Sequence, residues 1–94
     1  MKNNLLNCFC KIYGRVQGVG YRAWTKRSAD KYSLKGWVKN CEDSTVECEV
    51  SGNRENVESF IKDCTKGPLL ASVKNIHTEN RPFKNFTSFI IQVK

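Results

Sequence analysis

An α+β domain with the element order β-α-β-β-α-β is what the sequence predicts, on three observations. Cys8, Cys10 and Ile12 alternate with Phe9, Lys11 and Tyr13, and Val46, Cys48 and Val50 alternate with Glu47, Glu49 and Ser51. That period of two belongs to half-buried strands. Val57, Phe60, Ile61 and Cys64 instead recur at i, i+3, i+4 and i+7, the period of an amphipathic helix. The length of 94 residues is about one domain. A chain of this size buries only around 60 to 65% of its unfolded surface, enough for one modest core. Residues 1–94 are therefore expected to form a single domain, with any site assembled from a few loops.

Taken in order, the first strand covers residues 8–13 with its sulfur-and-isoleucine face inward. GRVQGVGYR, 14–22, ends it, because each glycine costs about 0.5 to 1 kcal/mol relative to alanine inside a helix or strand. AWTKRSADKY has helix-tolerant composition, and from about Arg22 to Tyr32 it places Trp24, Ser28 or Ala29, and Tyr32 on one side. LKGWVKN, 34–40, reads as a second short strand. CEDS is turn chemistry and TVECEVSG a third strand, so these form a hairpin. Asn53 caps the second helix and Gly67-Pro68 stops it. LLASVKNIHTE and FTSFIIQVK supply one or two further strands, with Arg81-Pro82 between them. Two helices on one face of an antiparallel sheet is the ferredoxin-like plan. The same plan serves RNA binders, metal carriers and enzymes, so function must come from the loop.

Composition narrows the partners. A net charge of +7 attracts anions, whether nucleic acid, anionic lipid or phosphorylated metabolites. Lysines and arginines are spread from Lys2 to Lys94, and the aromatics fall mostly in core phase, which argues against nucleic acid. Five cysteines cannot pair completely within one chain, and MKNNLLNCFC lacks the apolar run of a signal peptide. Both point to a reducing, cytoplasmic setting. No stretch approaches 18 apolar residues, so no membrane span is expected. His77 is the only histidine and has no evident partners for a metal site.

Glycines at 14, 18 and 20 between a strand and a helix let successive peptide N-H groups converge into a nest, to which the helix adds the positive end of its dipole. Such a cavity suits an anion. Arg22, at the helix start, can offer its planar fork to two oxygens of a phosphate. A tight turn with a solvated arginine would use the same residues, and spacing alone leaves both readings open.

GRVQGVGYR closely resembles the signature of the acylphosphatase family, and GWVKN, 36–40, resembles that family's second motif. GPLLASV at 67–73 and the closing FIIQV match as well, so the resemblance covers nearly the whole chain. It implies hydrolysis of acyl phosphates to carboxylate and inorganic phosphate, without metal or organic cofactor, by a small monomeric enzyme. It implies further that Arg22 binds the phosphoryl group and is catalytic. The backbone of Val16, Gln17, Gly18, Val19, Gly20 and Tyr21 would form the cradle, and Asn40 would hold the attacking water. The chain departs from the family pattern at three places. Tyr21 stands for the usual phenylalanine and adds a hydroxyl. Ser33 takes a position often held by glycine at the end of the first helix, which predicts strain or a different cap geometry. Cys41 follows Asn40 where threonine or another small or apolar residue is frequent, and is expected to fill space.

Three rival readings compete. Cys48 and Arg54 satisfy Cys-x5-Arg, the spacing of cysteine-dependent phosphatases, but Glu49 would put a negative charge inside the phosphate loop. Cys48 is also in phase with Val46 and Val50, and burial raises a thiol's pKa and makes it inert. A non-catalytic ferredoxin-like module could use the nest only to hold a phosphorylated ligand or RNA. The acylphosphatase-like domain of hydrogenase-maturation carbamoyltransferases is a third relative in kind, although 94 residues leave no room for the rest of such an enzyme. Cys8 or Cys10 could bridge to Cys48 under oxidation.

Overall fold

Strand β1 (Leu5–Arg15) is followed by helix α1 (Tyr21–Lys31), the hairpin β2 (Lys35–Asn40) and β3 (Val46–Asn53), helix α2 (Arg54–Cys64), and strands β4 (Ser72–Arg81) and β5 (Phe89–Ile91). This is a computed structural model, and it describes residues 4–93. The sheet order is β4-β1-β3-β2-β5. β1 pairs antiparallel with β3 and β4, and β2 pairs antiparallel with β3. The ferredoxin-like core is therefore present, but the sheet is mixed: β5 runs parallel to β2, with Gly36 opposite Phe89 and Val38 opposite Ile91. The antiparallel core expected from the sequence is thus extended by one parallel edge strand, because β5 arrives from the far side of the sheet rather than through a hairpin.

The alternation read from the sequence decides which face is covered. Cys8, Cys10, Ile12, Val38, Val46, Cys48 and Val50 share the inner face and are buried under the helices with Val57, Phe60 and Cys64. Asn53 begins α2 as expected, accepting the Glu55 N-H at 2.9 Å through its side chain. In α1 the stripe is offset from expectation. Tyr21, Thr25, Ser28 and Ala29 are buried, while Trp24 and Tyr32 pack at the margin of the core. Leu69 and Leu70 are exposed in a turn, so β4 starts later than the apolar letters suggest.

Because β4 and β5 occupy opposite edges, residues 82–88 must cross the sheet, and they do so over its outer face. There the buried Asn7 amide donates to the Pro82 carbonyl at 2.9 Å and to Glu49 at 2.8 Å, and Ser51 donates to Asn7 Oδ1 at 2.7 Å. Lys84 and Arg81 lie 3.5 and 3.8 Å from the Glu49 carboxylate. A buried charge is tolerable only when paired in this way. Phe9 and Trp37 also lie on this outer face, 6.4 Å apart, with the Arg81 guanidinium 4.1 Å from the Phe9 ring centre. Phe9 faces outward as its alternation with Cys8 and Cys10 predicts, and Trp37 joins it, so these two stand outside the core phase in which most of the aromatics are expected.

α1 ends in a Schellman motif: Leu34 N-H bonds the Ala29 carbonyl at 2.8 Å and Ser33 N-H that of Asp30 at 3.1 Å. The motif requires a left-handed residue, and Ser33 occupies it with φ of +59°. The chain thus keeps the glycine geometry with a serine, which is strain rather than a different cap. Ser33→Gly should raise stability by about 0.5 to 1 kcal/mol, read as a higher urea midpoint at unchanged slope. A lower midpoint would assign the serine side chain a stabilising contact.

Candidate active site

The glycine loop leaves the sheet where β1 and β4 lose register. Tyr13 pairs with Asn75 but Gly14 with Val73, and a Cβ at Gly14 would collide with the Ser72 carbonyl. This is a bulge of the kind that re-aims a chain. Val16 and the Tyr21 ring are buried and Val19 packs against the core, so side chains anchor the loop at several points. Gln17 anchors it across the sheet, donating from Nε2 to the carbonyls of Cys41 and Thr45 at 2.8 and 2.9 Å. Its amide straps the loop to the β2–β3 turn, a role that spacing along one strand could not reveal.

Gly18 and Gly20 adopt left-handed φ of +75° and +80°, and a Cβ added at either would meet nothing within 4 Å. The loop is therefore open above both glycines. Gly20 also begins α1. The first helical backbone bond runs from Trp24 N-H to the Gly20 carbonyl, which leaves the N-H groups of residues 21–23 without an intrahelical partner. No side-chain oxygen caps this end. Open space, unspent amides and a helix dipole thus coincide.

Tyr21 fixes the helix start. Its hydroxyl donates to the Cys64 carbonyl at 2.6 Å, tying the beginning of α1 to the end of α2, and burial pushes its pKa far up. The extra oxygen relative to phenylalanine is thus satisfied away from the loop.

Arg22 follows on α1. Asn40 reaches the same place from the sheet: Gly36, Val38 and Asn40 alternate onto the helix-covered face of β2, and Asn40 is the strand's last residue. Arg22 and Asn40 line one cleft of about 260 Å³ together with Val16, Gly18, Gly20 and Tyr21, and with Ile91 of β5. An adjoining cavity shares Arg22 and Asn40 and adds Cys41, Glu42 and Gln92. Among the described residues neither Arg22 nor Asn40 is engaged in an ion pair or a side-chain hydrogen bond, whereas Lys11 is held by Asp43 at 3.0 Å and Glu47 at 3.1 Å. The β2–β3 turn beyond Asn40 is itself braced. Thr45 donates to Asp43, and with Lys11 these bonds lower the Asp43 pKa to about 2.

The cysteine reading does not survive the geometry. Cys48 is fully buried with its pKa raised, and β3 runs unbroken to Asn53, so no phosphate loop separates it from Arg54. Cys48 stands directly opposite Cys10, while Cys8 faces Val50. All five cysteines are free. Cys48→Ser should cost about 1 to 3 kcal/mol by burying a hydroxyl among apolar neighbours. Turnover per folded molecule should be unchanged, and its loss in a folded variant would return the thiol to the chemistry. His77 is exposed on β4, with Glu79 at 3.4 Å.

No helix among the described residues is long and apolar enough to cross a membrane. The acylphosphatase family matches residues 8–91. An acylphosphatase of Pseudothermotoga lettingae is 42% identical over 83 residues, covering 88% of this chain and 93% of its own. The crystal structure of an acylphosphatase from Bacillus subtilis superposes with a TM-score of 0.91 at 34% identity, covering 94% of this chain and 99% of that one. Full-length HypF superposes with a TM-score of 0.85 at 30% identity, but over 95% of this chain and only 12% of its own length. With both motifs brought to one cleft and the match running through nearly every element, the chain belongs to the acylphosphatase family.

Proposed function

We propose that this chain, working as one domain, hydrolyses acyl phosphates to carboxylate and inorganic phosphate at the cleft between the glycine loop and the end of β2. The observation that carries this is the meeting of Arg22, Asn40 and the open backbone of Gly18 and Gly20 in one cavity. The peptides of residues 16–21 and the Arg22 fork hold the phosphoryl oxygens, where charge accumulates as the bond to the acyl oxygen lengthens. The Asn40 amide orients a water on the far side of phosphorus for in-line attack. A new P–O bond forms, the P–O bond to the acyl group breaks, and its electron pair leaves on the carboxylate. A carboxylate is a good leaving group and needs no general acid.

Among the described residues, Arg22 and Tyr21 are the ionisable groups lining the cleft, and the Tyr21 hydroxyl is committed to Cys64. The water's proton therefore passes to a phosphoryl oxygen or to solvent. The substrate is a small molecule, and we infer a monomer in a reducing, cytoplasmic compartment, a setting that suits five free cysteines.

Release of carboxylate from benzoyl phosphate, with and without chelator, tests the reaction and its independence of metal. Phosphate binding without turnover would make the chain a binding module. Inorganic phosphate should also inhibit competitively and raise the melting temperature, since occupancy at 100 times Kd stabilises the folded state by about 2.7 kcal/mol. Unchanged kinetics and melting over the millimolar range would count against the loop as the phosphate site.

A further inference from the structure

Strand β5 forms one wall of the cleft, since Ile91 lines it beside Arg22 and Asn40. The hold on that wall is slender. β5 has three residues, and they pair with β2 alone, at the open edge of the sheet. The Gly36 N-H donates to the Ser88 carbonyl at 2.9 Å and the Gln92 N-H to the Val38 carbonyl at 2.8 Å, so these groups of Ser88 and Gln92 turn toward β2. Backbone direction alternates along a strand, and the Phe89 carbonyl therefore turns toward the free edge. It is met there from α1. Lys26 Nζ donates to the Phe89 carbonyl at 3.0 Å, and Asp30, one turn further along the helix, holds the same ammonium at 3.2 Å.

Lys26 follows Arg22 on α1 at i+4, so the two side chains share one stripe of the helix. The helix that presents Arg22 is thus tied, one turn later, to the strand that carries Ile91. Arg22 makes no ion pair or side-chain hydrogen bond among the described residues, so the direction of its guanidinium depends on what stands beside it. We propose that Lys26 is a positioning residue for the reaction: by holding the Phe89 carbonyl it keeps Ile91 beside Arg22, and so keeps the guanidinium aimed at the phosphoryl group. This rests on the assignment of the cleft to phosphoryl binding. The charge of Lys26 is matched by Asp30, which makes its role geometric rather than electrostatic. A small displacement of a binding group costs more than the single bond that had fixed it.

Lys26→Met keeps the length of the side chain and removes the donor. The amide hydrogens of Gly36 and Gln92, which span the β2–β5 seam, should then exchange about 5- to 10-fold faster, the worth of one hydrogen bond from a charged group partly in solvent, while those of β1 and β3 keep their rates. Affinity for inorganic phosphate by calorimetry and kcat/KM for benzoyl phosphate should fall together by about 10-fold, short of the loss on removing Arg22 itself. Lys26→Arg keeps a cationic donor of similar reach and should restore both. Arg27→Met removes a neighbouring cation of α1 that has no hydrogen bond or ion pair among the described residues, and it should change neither, which separates position from charge. The proposal is overturned if Lys26→Met leaves seam exchange or phosphate affinity as in the parent, if Arg27→Met weakens phosphate equally, or if Lys26→Arg restores nothing. A parent chain that bound phosphate but left benzoyl phosphate intact would overturn the hydrolytic reading alone, since seam exchange and phosphate affinity still decide the role of Lys26. A parent that bound no phosphate would overturn both.

Discussion

Arg22→Ala is expected to lose phosphate affinity and kcat together. The guanidinium lies in the cleft in partial contact with solvent, without an ion pair among the described residues, so its charge is free for a ligand. An acyl phosphate brings negative oxygens in the ground state and spreads more charge over them in the transition state, so under the proposed mechanism one side chain would serve both binding and chemistry. Arginines placed on transferring phosphoryl groups are worth 10³ or more, and the loss in kcat/KM should be on the order of 10³ to 10⁴. Arg22→Lys keeps the charge but not the two-pronged geometry and should fall between the two. The fold should survive, because the side chain is only partly buried and makes no hydrogen bond or ion pair among the described residues, and circular dichroism and the melting temperature check this. A folded Arg22→Ala that bound phosphate normally would put the phosphoryl group elsewhere.

What could be read from the sequence divides along the range of the interactions. Cys8, Cys10 and Ile12, Val46, Cys48 and Val50, and the helix from Asn53 to Cys64 were legible, because their burial repeats within a few residues. The glycine loop and Arg22 were legible as a candidate anion site for the same reason. The stripe of α1 was misplaced because Tyr21 read as part of the loop, whereas its ring is buried and its hydroxyl reaches a carbonyl 43 residues away. β5 is three residues long, and its parallel pairing depends on a crossing over the outer face held by Asn7 and Glu49. Nothing local encodes that. The Gln17 strap is likewise an interaction across 24 and 28 residues. Asn40 is the intermediate case. Its strand was legible, but without the motif resemblance an asparagine there reads by preference as a turn residue that ends the strand.

That ambiguity makes Asn40→Ala the most informative change. The residue sits at the last β2 position, pairs with Val46, and is only partly buried, so its backbone role in the ladder survives truncation to alanine. The β2–β3 turn remains braced by Asp43, Thr45, Lys11 and the Gln17 amide, none of which bonds the Asn40 side chain. Removing the amide should therefore leave the fold and the phosphate site almost unchanged, and phosphate inhibition should keep its constant. The chemical step should not escape. Asn40 is too weak a base to take the water's proton and too poor a nucleophile to attack, so the contribution proposed for it is the position of the water. Loss of one preorganised group of this kind costs about 10² to 10³ in kcat. Unlike Arg22→Ala, the expected signature is thus a fall in kcat with ligand affinity preserved, measured with benzoyl phosphate as substrate and inorganic phosphate as inhibitor. Asn40→Asp extends the test, since it keeps the acceptor but brings a negative charge into a cleft meant for an anion, and phosphate affinity should then fall as well. If folded Asn40→Ala kept more than about a tenth of normal kcat, less than the cost of one preorganised donor, the residue would revert to strand-ending structure. The water would then have to be held by the loop peptides or by the side chains of the adjoining cavity.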